Sequence, residues 1–114
     1  MDEIRKYAWD HNISLFSNRL FVESDPLKSA LLRDTLLREL DRYGLVSEQL
    51  DKVDGLISQL KTRVGRQETI VAEKGPVDSD LASSNQLLGL LKTSLEIFTQ
   101  YRNLLLRASE QGAL

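Results

Sequence analysis

From Val46 onward, apolar residues recur at Leu50, Val53, Ile57, Leu60, Val64 and Val71 in steps of four and three, and Gln67 is the one polar occupant of the run. That alternation is the seven-residue signature of a helix packed lengthwise on another helix, as in a coiled coil. A Gly75-Pro76 break follows, and then a second apolar helical segment of matching length, residues 81–108. The two segments predict an antiparallel helical hairpin. In its turn, Gly75 is placed to close one helix and Asp78 or Asp80 to cap the next. Gln67 reads as a polar seam residue of the kind that fixes register or pairing at some cost in stability.

Two shorter helices precede the hairpin. Residues 2–22 carry Trp9, Ile13, Phe16 and Leu20 in steps of four, three and four, with Ile4, Tyr7 and Ala8 widening the face. Four of the seven aromatic residues, Tyr7, Trp9, Phe16 and Phe21, fall in this stretch. An aromatic stripe at helical spacing reads as core or as an oligomer contact, because such side chains bury large areas. Asp25-Pro26 marks the next start: the aspartate accepts from free amides, and proline suits the first helical position because no N–H is needed there. The second helix, residues 26–43, is apolar over more than half its circumference and is therefore sandwiched between neighbours. Gly44 predicts a break, in preference to a kink in a nearly continuous helix, before a third helix over 46–74 with Ser47 as its cap. Gly55 and Gly65 mark either close approach of a neighbouring backbone or a locally soft helix.

The fourth helix carries two stripes. One is Leu88, Leu91, Leu95, Phe98 and Leu105; the other is Leu87, Leu90, Ile97, Tyr101, Leu104 and Ala108. Together they exceed what a two-helix seam covers, so the N-terminal helices or another subunit must take the rest. Residues 109–114 read as a frayed tail. The expected fold is all-α, with two short N-terminal helices packed on a long antiparallel hairpin in a four-helix-bundle-like domain spanning 1–114.

Charge and residue types narrow the chemistry. The chain has 114 residues, 15 Lys plus Arg and 17 Asp plus Glu, with the two signs spread evenly along it. A nucleic-acid footprint needs a basic excess on one face, and Lys61, Thr62, Arg63 and Arg66 with their acidic neighbours read as a solvated helix face instead. With no cysteine and one histidine, His11, neither a thiolate nor an imidazole metal site is expected. No cofactor is expected either: there is no Gly-rich phosphate loop and no His-Glu-x-x-His. The carboxylate pairs Glu48 with Asp51 and Asp51 with Asp54 lie on a polar face where water keeps both ionised. An enzyme is not expected. The first ten residues contain no apolar run of signal-peptide length, and no stretch approaches a membrane span. The first helix mixes Asp2, Glu3, Arg5, Lys6 and Asp10 on its polar side, so no membrane partner is expected. The expected compartment is the cytoplasm.

Motifs in both halves carry a resemblance. The first half has Asn12-Ile13, Phe16, Leu20, Glu23, Asp25-Pro26 and a Leu-rich helix from Leu31 through Glu39. The second has Arg66-Gln67, Ile70-Val71, Gly75, Leu87-Leu88, Ser94-Leu95 and Arg102 to Leu105. In these features the chain resembles small helical-hairpin proteins found widely in bacteria, whose activity is uncharacterised. Its turn departs from the shorter Gly-His-Asp form of that group. The resemblance implies a helical fold and no activity.

The surplus apolar surface points to a helical interaction module that self-associates, as a dimer, or docks on a helical protein partner. The contact residues expected are Trp9, Phe16, Leu20, Leu91, Leu95, Phe98 and Tyr101. The competing expectation is a regulatory bundle that senses a ligand or relays phosphate. His11 is its test residue, although Asp10-His11-Asn12-Ile13 lacks the following Lys and Gly of phosphotransfer domains.

Overall fold

The backbone breaks where local chemistry directs it to. In the structure, a computed structural model describing residues 2–112, four helices follow one another: α1 (Asp2–Leu20), α2 (Pro26–Arg42), α3 (Val46–Glu73) and α4 (Leu81–Gly112). No strand occurs among the described residues, and the fold is all-α as expected. The Asp25 carboxylate accepts the Leu27 N–H at 3.0 Å with Pro26 at the first helical position. Gly44 separates α2 from α3 and takes φ +90°, which a side chain rarely adopts. A Cβ there would also lie 3.2 Å from the Trp9 ring.

Three local expectations change. Ser47 does not cap α3; instead the Glu48 carboxylate accepts the Leu45 N–H at 3.1 Å, one half of a capping box. Gly75 does not close α3 in a left-handed turn, because Gly44 alone has positive φ among the described residues. The hairpin turn is held by Asp78, whose N–H donates to Gly75 at 3.0 Å and whose carboxylate accepts the Asp80 N–H at 2.9 Å. Helix α4 continues past Ala108 to Gly112, so residues 109–112 are helical where a frayed tail was expected; residues 113–114 lie outside the described residues.

Helices α3 and α4 pack most closely, α1 packs on α2, and α2 touches both helices of the long hairpin. Side-chain pairs fix how the two hairpins lie on each other. Lys6 meets Glu48, Asp10 meets Lys52, and Phe21 meets Arg63; in each pair the α3 residue stands 42 positions after its partner. A constant offset means α1 runs parallel to α3. Ser24 with Gln86, Arg33 with Ser94, and Asp41 with Tyr101 are separated by 62, 61 and 60 positions, so α2 runs parallel to α4. The N-terminal hairpin thus ends level with Arg63 and Gln86. The rest of α3 and α4 projects beyond it as a two-helix tip, in a molecule 56 Å long and 29 by 21 Å across.

The heptad seam is the core it was read as. Val53, Ile57, Leu60 and Val64 are buried, joined by Leu56, while Val46, Leu50 and Val71 at the ends are half-buried. Gly55 and Gly65 have nothing within 4 Å of a built Cβ, so neither admits a neighbouring backbone.

Candidate interaction face

Trp9 anchors three helices at once. Its indole N–H donates to the Glu39 carbonyl at 2.7 Å, its ring meets Tyr43 edge-on at 5.6 Å, and the Lys52 ammonium sits 5.6 Å above it. Lys52 in turn pairs with Asp10 at 2.6 Å. Glu39 is buried yet satisfied, its carboxylate accepting from Asn12 at 3.2 Å and Arg42 at 2.8 Å. A buried carboxylate persists only with such partners. The outer ends of this network are charged and Trp9 at its centre is fully buried.

That arrangement corrects four of the seven expected contact residues. Trp9 and Phe98 are 0% exposed and Leu20 and Leu91 2%, all four inside the chain's own core and closed to a partner in this fold. Phe16, Leu95 and Tyr101 are half-buried and pack against the same core. Tyr101 also donates its hydroxyl to Asp41 at 2.5 Å. Burial first, then the hydrogen bond to Asp41 and its charge, raise the phenol's pKa above the ordinary tyrosine range. Helices α3 and α2 take much of the apolar surface of α4, while Leu104 of its second stripe stays 61% exposed.

A second apolar stripe lies on the opposite side of α1. Ile4, Tyr7, His11 and Leu15 follow one another at steps of three and four and face outward, and Val22 extends the line just past the helix end. Ile4 and Tyr7 are 73% and 74% exposed, so they do not widen the Trp9 face but form its reverse. On α2, Leu27 and Leu31 are exposed toward the Val22 end of that line, and Leu31 shares a hollow with Val22. The signal in the sequence is that these α1 residues fall half a helical turn away from Trp9, Ile13 and Leu20.

Two hollows open along the outer seam between α1 and α2. One, of about 390 Å³, is lined by Arg19, Val22, Glu23, Lys28, Leu31, Leu32 and Thr35. The other, of about 330 Å³, is lined by Arg5, Ala8, Arg42 and Tyr43.

The remaining candidates are engaged in structural contacts. His11 stacks on Tyr7, with ring centroids 6.2 Å apart and planes 8° from parallel. Arg63 of the basic cluster lies 4.7 Å over the Phe21 ring and ties α3 to the end of α1. Glu48 faces Lys6 at 3.8 Å, and Asp54 pairs with Arg102. Among the described residues no helix is long and apolar enough to cross a membrane. Comparisons with family models, curated proteins and solved structures find no match for this chain.

Proposed function

We propose that the chain is a non-enzymatic helical interaction module that pairs with itself or docks on a helix of another protein. One observation carries this reading. With Trp9, Leu20, Leu91 and Phe98 committed to the core, Ile4, Tyr7, Val22, Leu27 and Leu31 still expose more than half of their surface on the outer side of α1 and α2. An apolar patch rimmed by charge is the usual mark of a protein contact.

The test compares the parent with a Val22→Ser, Leu31→Ser double variant, by light scattering over a concentration series and by affinity capture from the source cell. Self-association or a specific captured protein, lost in the variant, supports the reading. A parent that stays monomeric and captures what the variant captures sinks it. The phosphotransfer reading has one observation in its favour, the exposed His11 imidazole. Label from a phosphodonor that disappears in His11→Ala would move the weight to it.

A further inference from the structure

We infer that the outer α1–α2 seam takes an amphipathic helix of a second protein, about fifteen residues long, with acidic side chains at both ends of its apolar stripe. This rests on the interaction-module reading and adds the chemistry of the partner.

The two hollows carry opposite information from the chain as a whole. The protein has a net charge of −2, yet the charged residues lining the hollows are Arg5, Arg42, Arg19 and Lys28 against Glu23; with Arg42 already paired to Glu39, Arg5, Arg19 and Lys28 remain for a partner. The basic excess is therefore local, and it sits in two hollows along one helix pair. Between Ala8 in one hollow and Arg19 in the other, α1 rises by about 17 Å. A helix touching both needs roughly four turns, with acids near its first and last turns and apolar residues between. Val22, Leu31 and Leu32 line one hollow and Leu15 lies exposed between the two, so the apolar stripe has something to bury against. This is the helix-in-groove mode, with charge at the rim selecting the partner.

The same features argue against the other occupants. A two-fold pairing of this face sets the same patch against itself, and so cation against cation. A bilayer surface does not enter a hollow, and Glu23 at the rim would be pressed against anionic headgroups. A nucleic acid has no use for the apolar lining.

The probes are a labelled eighteen-residue helical peptide with a leucine stripe and glutamates in its end turns, and a twin with lysines in place of the glutamates. Binding is read by fluorescence anisotropy against the parent, Leu31→Ser, and Arg19→Glu with Lys28→Glu. All three substituted residues are exposed, and emission from the buried Trp9 confirms the fold of each variant. The acidic peptide is expected to bind about tenfold or more tighter than its twin, from several rim pairs acting together. Binding should be lost in Leu31→Ser and reversed in preference by the charge swap. Equal binding of the twins, binding that Leu31→Ser leaves intact, or no binding of either peptide overturns the inference. A concentration-dependent dimer abolished by Leu31→Ser overturns the acidic-helix occupant while sustaining the interaction module. Binding to anionic vesicles abolished by the charge swap overturns both.

Discussion

The side-chain amide of Gln67 donates to the Ser84 carbonyl at 3.0 Å, bridging α3 and α4 in the projecting tip of the hairpin. Gln67 is buried in the heptad seam, so its polarity has a partner. In helix α4 the Ser84 carbonyl keeps a second lone pair for its own ladder. Leucine at position 67 therefore leaves no orphaned acceptor and adds apolar contact, while removing the one bond that ties these two turns in register. Gln67→Leu should hold stability within about 1 kcal/mol of the parent or raise it. Amide exchange around residues 67 and 84 should nevertheless speed up. Gln67→Ala removes both bond and volume and should cost about 1–2 kcal/mol. A leucine variant less stable than the alanine variant in urea titration would contradict this assignment.

Glycine substitutions should split by position. At Gly55 and Gly65 a methyl group meets nothing within 4 Å and the backbone is helical, so alanine should stabilise by about 1 kcal/mol each. At Gly44, φ +90° and the Trp9 ring at 3.2 Å both oppose a side chain. Gly44→Ala should cost about 2 kcal/mol and red-shift or broaden the Trp9 emission. Denaturant midpoints that move the same way at all three positions would refute the reading of the α2–α3 break.

Tyr101 predicts a pH dependence. Its proton is held more tightly in the folded chain, by burial and then by Asp41, than in the unfolded chain. Above the unfolded tyrosine value of about 10 the folded state binds more protons, so stability falls as pH rises. Below that value the contribution is fully present. The parent should therefore lose melting temperature above about pH 10 more steeply than Tyr101→Phe, and the gap between them should narrow. Parallel curves would show that the phenol does not hold α4 to α2 in this way.

Helix count, breaks and the α3 seam were readable because each has a local cause: heptad spacing, the Asp25-Pro26 cap, and glycine at position 44. Two features had no local cause. Glu39 is charged and reads as surface, and only its carboxylate's meeting with Asn12 and Arg42 makes its burial tolerable. The parallel setting of α1 on α3 depends on pairs 42 residues apart, which no window of neighbouring residues reveals. Four of the expected contact residues, Trp9, Leu20, Leu91 and Phe98, lie in the core for the same reason. They were drawn from the aromatic face of the first helix and the surplus stripes of the fourth, and the packing of the two hairpins buries them.

Helix α1 is apolar on both sides, and stability separates the side that folds the chain from the side that remains free. Leu20 is 2% exposed in the core, whereas Tyr7 lies outward on the opposite face. Leu20→Ala leaves a cavity among α1, α2 and α3 side chains and should cost about 2–5 kcal/mol in urea titration. Tyr7→Ala removes a ring that stacks only on His11 at the surface and should stay within about 0.5 kcal/mol of the parent. The two changes are thirteen residues apart on one helix and lie on opposite faces, so a helix rotated by half a turn would exchange their effects. A costly Tyr7→Ala beside a silent Leu20→Ala would place Tyr7 in the core and remove the exposed stripe on which the interaction face depends.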